Sequence, residues 1–430
     1  MNVHCAVCAA AGAIVDGCPT RQAAAGQRGG AWLDAPPGAA WVERDDPNPF
    51  VARRELLWSY HRALAAGWTD DAFVALVRRL DDAVAAVDGT GFVATPFENQ
   101  APLAEAVGAG ELWVKDETGS VAGSHKARHL FGLALHLAVD DVPQQQRLAI
   151  SSCGNAALGA ATIAAAAGRP LDVFIPTWAD PRVVDRLDAL GATIHVCERR
   201  RGEQGDPCML RFRDGLGEGA LAFGCQASEN LLTLDGGRTL AWELADQLRV
   251  ADTSLDHLAI QVGGGALATS VVAGLLEAAR FGAIDRLPAI HAVQTEGCAP
   301  LDRAWQRLVA RAEADGVDAA LHHAGTNPSE YMWPWEDEPS SAASGILDDV
   351  TYDWLGIARG LFDTGGSSVV VAEPTVSDAN RLAREHTAIP VDATGTAGLS
   401  GVLELRRRAH SPIGASARVG VLFTGRDRGA

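Results

Sequence analysis

The sequence predicts an α/β protein of two doubly wound domains with parallel sheets, and three observations carry that prediction. Eight short apolar runs recur between residues 111 and 425, most of them separated by amphipathic or Ala-rich segments. Continuous apolar strands alternating with helices indicate parallel sheets covered on both faces. The length of 430 residues suffices for two such domains. Three of the turns are rich in Ser or Gly and open helices, the kind of loop in which these sheets bind ligands beyond the strand ends.

Composition narrows the class. With 47% hydrophobic and 21% charged residues, the chain reads as globular rather than disordered. Aromatics are only 6%, so Ala, Val and Leu must fill much of the core. A formal charge of -18 argues against nucleic acid or an anionic membrane as partner, and leaves room for a locally basic pocket. The apolar stretch "GNAALGAATIAAAAG" (Gly154–Gly168) is too short to span a bilayer. The N-terminus lacks the basic region of a signal peptide, and eight cysteines scattered over this length do not form a disulfide scaffold, so a reducing cytoplasm is expected.

In chain order, residues 1–90 read as an N-terminal arm. "APPGAAWVERDDPNPF" is turn-rich, whereas "RRELLWSYHRALAAG" and "DDAFVALVRRLDDAVAAV" have helical spacing, with Thr69 placed to cap the second. Residues 91–430 form the main region, with a smaller α/β subdomain at about 130–225 inserted in a larger one. Its strands are expected at "ELWVK" (Glu111–Lys115), "RLAISS" (Arg147–Ser152), "LDVFIP" (Leu171–Pro176), "ATIHVC" (Ala192–Cys197), "LDHLAIQV" (Leu255–Val262), "AIHAVQ" (Ala289–Gln294), "SSVVVAEP" (Ser367–Pro374) and "RVGVLFTG" (Arg418–Gly425).

The first of the three loops is "GSHKARHLFGLALHL". Ser124 is expected to cap a helix whose first turn holds Lys126. The positive end of a helix dipole disfavours an ammonium there. The chain has only two lysines, Lys115 and Lys126, against 34 arginines. Arginine stays protonated and cannot form a Schiff base, so a lysine kept at this position points to a need for a primary amine. The second loop, "SSCGNAALGAA", ends a strand at Ser151 and Ser152 and starts a helix near Asn155; its amides and hydroxyls can cradle a carboxylate. The third, "VGGGALATS", follows a strand and opens a helix, so its amides can close around a phosphate. Gly263, Gly265 and Ala268 also fit a dinucleotide fingerprint, with Glu296 as the ribose acid, though at a spacing longer than usual.

Taken in order, the three loops resemble those of pyridoxal-phosphate (PLP) enzymes of the tryptophan-synthase-β-like fold, nearest to threonine synthases and their relatives. The resemblance covers roughly residues 90–430 and implies Lys126 as the Schiff-base and catalytic lysine. It implies Asn155 against the cofactor's phenolic oxygen, and Gly263, Gly264, Gly265, Ala266 and Leu267 around its phosphate. It also implies Thr424, in "VLFTGR", at the ring nitrogen, and Ser151, Ser152, Cys153 and Gly154 around the substrate carboxylate. "LDGGRTLAWELADQL" (Leu234–Leu248) is similar to a helix of the same family. The implied activity is a lyase acting on a small amino acid by Cα-proton abstraction and β- or γ-elimination, in a homodimer. Serine/threonine-type ammonia-lyase and β-replacement activities are the close alternatives. A dinucleotide-dependent oxidoreductase and a non-catalytic binding protein of the same fold are the distant ones.

Some residues depart from the family. His125 and Cys153 replace an aromatic and a hydroxyl, and Asn327–Trp354, rich in Trp and acid, either walls the pocket or lies on the surface. Cys5, Cys8 and Cys18 resemble a zinc knuckle whose fourth position is Arg21, so no metal is expected. Lys115 is expected in a structural ion pair, and His322 and His323 are expected to be solvated.

Overall fold

The structure, a computed structural model, describes residues 3–5, 11–12, 31–203 and 205–429. Cys8, Cys18 and Arg21 lie outside these residues. The strands are β1 (Val3–Cys5), β2 (Ala11–Gly12), β3 (Ala31–Trp32), β4 (Phe97–Asn99), β5 (Glu111–Asp116), β6 (Leu148–Ser151), β7 (Leu171–Pro176), β8 (Thr193–Cys197), β9 (Leu221–Ala222), β10 (His257–Gln261), β11 (Ala289–Thr295), β12 (Ser367–Val371) and β13 (Arg418–Phe423). All eight apolar runs of the sequence are strands. The two-residue β9 and the antiparallel edge strand β4 are too short to leave a pattern.

Two parallel sheets organise the main region. One has the order β8-β7-β6-β9, and the other β12-β11-β10-β13-β5-β4, parallel except for β4. A third, small antiparallel sheet joins β1, β2 and β3. In the large sheet the C-terminal strand β13 inserts between β10 and β5, which carries the last residues of the chain into its centre. No helix among the described residues is long and apolar enough to cross a membrane.

The arm packs into the core. Its helix Asp70–Asp88 starts with the Thr69 hydroxyl accepting from the Ala72 amide at 3.1 Å, as the sequence predicts. The Phe50 ring lies 4.6 Å from Phe131 and 5.2 Å from Phe92, joining the arm to the helix that begins at Lys126. Burying one such ring contributes about 2–3 kcal/mol.

The stretch Leu234–Leu248 is two helices, Thr233–Gly237 and Thr239–Val250. Its two adjacent glycines have a packing reason. A Cβ on Gly236 would stand 2.2 Å from the Arg128 carbonyl oxygen, and one on Gly132 would stand 2.6 Å from Gly236 Cα. The helix Lys126–Val139 therefore crosses this segment backbone to backbone, at a distance only glycine permits.

Candidate active site

The loop before Lys126 is held at both ends. The Asp116 carboxylate accepts from the Thr118 amide at 2.8 Å and from its hydroxyl at 2.7 Å. Ala122 adopts the left-handed φ of 56°. Its amide donates to Asp88 at 2.9 Å, and its carbonyl accepts from Arg428 at 2.6 Å. Ser124 does not cap the helix, contrary to the sequence expectation. It is extended (φ -165°) and bridges antiparallel to Gly425, which turns its hydroxyl away from the helix amides and leaves it buried without a partner. His125 holds the cap position without a side-chain bond, and Lys126 is the first helical residue.

Lys126 is half-buried, and among the described residues its ammonium forms no ion pair. Its charge acts on His125, His129, Cys225, Asp348 and Asp353. Burial, followed by the nearby Lys126 ammonium, holds His125 well below the ordinary imidazole range and His129 at about 3. Both rings are therefore neutral, and their Nδ1–H groups donate to the carbonyls of Thr424 (3.3 Å) and Thr233 (2.9 Å).

Lys115 and Arg128 secure this helix from behind. Arg128 makes a two-pronged pair with Glu117 (2.8 and 2.9 Å) and reaches Glu243 at 3.0 Å. The Lys115 ammonium pairs with Glu243 and donates to Thr95 O at 2.7 Å. Two buried cations thus face two buried carboxylates. The ion pair expected for Lys115 is present, with a partner 128 positions away in sequence.

The Ser151–Asn155 loop leaves β6 and opens the helix Asn155–Ala166, with all five residues partly exposed. The Gly154 amide approaches the Ser152 hydroxyl at 3.4 Å. Burial pushes the Cys153 thiol up, so it stays protonated. Asn155 accepts from Arg428 at 2.9 Å, and its amide nitrogen would lie 2.9 Å from a Cβ on Gly425, beside Thr424.

Gly263, Gly264 and Gly265 link β10 to the helix Ala266–Arg280, with Gly265 at φ 106° and Ala266 and Leu267 buried in the first turn. Thr424 follows β13 and is buried. Its Oγ1 lies 2.6 Å from Gln261 Nε2, which also faces the carbonyls of Leu422 (3.1 Å) and Gly395 (3.0 Å). Those carbonyls only accept and Nε2 only donates, so its two hydrogens are shared among three acceptors, Thr424 Oγ1 among them, and the threonine O–H stays available to donate elsewhere.

The structure thus gathers Thr424, Asn155 and the Lys126 loop around Gly425, while Lys126, Cys153 and the glycine loop share Asp348. Sequence reasoning missed Gln261, Arg128, Asp348 and Asp353. A lone amide in the apolar run "LAIQV" was the available signal for Gln261, and the acid-rich stretch Asn327–Trp354 was the signal for the two aspartates. The segment 327–354 divides. Its tryptophans cover Arg303, whose guanidinium lies 3.8 Å from the Trp333 ring, and its last residues wall the glycine loop. His323 contacts the Tyr331 hydroxyl at 3.0 Å, and His322 is exposed. Glu296, the proposed ribose acid, is exposed at the end of β11 and accepts from the Glu373 amide at 3.1 Å.

These residues fit pyridoxal phosphate: an amine that forms no ion pair among the described residues, a glycine turn that opens a helix, and a hydroxyl available to donate to a ring nitrogen. The chain is 30% identical over 190 residues to a serine dehydratase-like protein of Rattus norvegicus, covering 43% of this chain and 54% of that one. It is 25% identical over 316 residues to threonine synthase of Methanosarcina acetivorans, covering 72% and 69%. The first of these alignments spans about half the length of the relative. Diaminopropionate ammonia lyase from Escherichia coli shares the fold, with a TM-score of 0.62 at 16% identity over 90% of this chain and 92% of that one. The family described as "Pyridoxal-phosphate dependent enzyme" matches residues 90–425, and the chain belongs to it.

Proposed function

We propose that the chain is a lyase that removes the Cα proton of a small amino acid and eliminates a group from Cβ or Cγ. The observation that carries this reading is the primary amine of Lys126, at the start of a buried helix, without an ion pair among the described residues, its charge acting on the Asp348 that lies on the glycine loop. Pyridoxal phosphate supplies the electron sink that stabilises the charge left at Cα. Lys126 would hold the cofactor through its primary amine and, when free, would accept the Cα proton. The amides and hydroxyls of residues 151–154 hold the substrate carboxylate. The free O–H of Thr424 meets the ring nitrogen without adding charge, which suits elimination better than a carboxylate partner would.

The groups that feel Lys126 are two aspartates, two neutral histidines and a thiol. Among the close alternatives we favour a hydroxyl leaving group, as in an ammonia-lyase acting on a hydroxy amino acid, over a phosphohomoserine reaction. The likeness to serine dehydratase and ammonia-lyase relatives supports the same choice. We extend the reading to a homodimer in a reducing cytoplasm, where the five thiols of Cys153, Cys197, Cys208, Cys225 and Cys298 remain free.

The purified protein should be yellow, and borohydride should bleach it and fix the cofactor on Lys126. Serine and threonine should then give ammonia faster than their O-phospho forms. A colourless protein that takes up no pyridoxal phosphate overturns the reading.

A further inference from the structure

The segment 343–353 lies directly on the glycine loop. A Cβ on Gly263 would stand 2.4 Å from Asp348 Oδ2 and 2.8 Å from Ile346 Cα. A Cβ on Gly264 would stand 3.6 Å from Asp348 Oδ1, and the Gly264 carbonyl accepts from the Asp353 amide at 3.1 Å. At its other end the segment is tied by the Gly345 amide to the Thr394 hydroxyl at 3.0 Å, and just before it the Ala342 amide bonds Glu373 at 2.7 Å. A carboxylate of the chain itself therefore lies against the loop that opens a 15-residue helix.

A phosphate dianion placed beside a carboxylate competes with it for space and is repelled by its charge. We propose that Asp348 competes with the cofactor's phosphate for the glycine loop, so that loading pyridoxal phosphate draws the segment 343–353 away from it. This rests on the cofactor reading above. Asp348 is held weakly enough to yield. Burial raises it to about 6, with Asp349 and Asp206 adding repulsion, while the Lys126 ammonium and the Gly264 amide favour its charged form. Once Lys126 is committed to the cofactor, one of those two supports is lost.

The test uses the full-length protein, stripped of cofactor and titrated with pyridoxal phosphate or with pyridoxal, which lacks the phosphate. Binding is read from the absorbance of the Lys126-bound cofactor. Asp348→Ala should tighten pyridoxal phosphate by about tenfold, corresponding to ~1.4 kcal/mol, with Asp348→Asn in between and pyridoxal unchanged. Hydrogen exchange in residues 343–353 of the wild type should rise on loading. Equal pyridoxal phosphate affinity in all three proteins, equal tightening of pyridoxal, or slower exchange on loading overturns the competition while leaving the cofactor reading intact. A wild type that binds no pyridoxal phosphate overturns both.

Discussion

Gln261 Nε2 donates to Thr424 Oγ1 at 2.6 Å, joining the last residue of β10 to the residue after β13. The two strands are neighbours in the sheet, so this side-chain bond continues their pairing beyond the ladder. It also fixes the direction in which the threonine can donate. Thr424→Val should keep the fold and lower kcat by ~10–100-fold, the equivalent of one lost hydrogen bond of about 1–3 kcal/mol, with a shifted cofactor absorbance. Gln261→Leu should instead lower Tm, because it strands two buried carbonyls. An unchanged kcat in Thr424→Val would remove the threonine from the site.

Lys126→Arg separates charge from chemistry. The substitution keeps a cation at the helix start, so thermal stability should stay within about 1 kcal/mol of the wild type. The protein should be colourless and inactive, because a guanidinium cannot take the place of the amine. Measurable turnover in this variant would disprove the role of Lys126.

The buried quartet of Lys115, Glu117, Arg128 and Glu243 should fail asymmetrically. Arg128→Ala leaves two buried carboxylates short of a partner and should cost about 3–5 kcal/mol in a denaturant titration. The pH dependence has a definite sign. Arg128 and Lys115 outweigh burial and hold Glu243 at about 2, below its ordinary 4.5. Its contribution is therefore present above pH 4.5 and is lost as pH falls through about 2. Asp235, lowered to about 2 by His136 and Arg238 against burial, follows the same course from 3.8. The midpoint of acid unfolding should rise in Arg128→Ala.

Gly236→Ala places a methyl group where the Arg128 carbonyl stands 2.2 Å away. The two helices must separate, which should cost about 1–3 kcal/mol or more and move the helix that carries Lys126. Lower stability together with weaker cofactor uptake is expected. Gly154→Ala, whose Cβ meets nothing within 4 Å, is the control for stability.

Much of this protein is determined locally. Apolar runs with β-strand composition predict the eight long strands, because a strand buried on both faces must be apolar throughout. The glycine loop and the helix starts at Asn155 and Lys126 are legible for a similar reason: turns and helix ends are specified by adjacent residues. Lys126 stood out chemically, as an amine in a chain that otherwise prefers guanidinium.

What the tertiary structure decided are the relations between residues far apart in sequence. Ser124 is a good cap by local rules, yet Gly425, 301 positions later, draws it into a bridge. Lys115 neighbours Asp116 and Glu117 in the chain but pairs with Glu243. Gln261 meets Thr424 because β13 inserts beside β10, and Asp348 reaches Gly264 because the segment before Trp354 folds back over the sheet. A buried polar group must find a partner in whatever the chain brings beside it. That choice depends on strand order and crossover, which no local window of sequence contains.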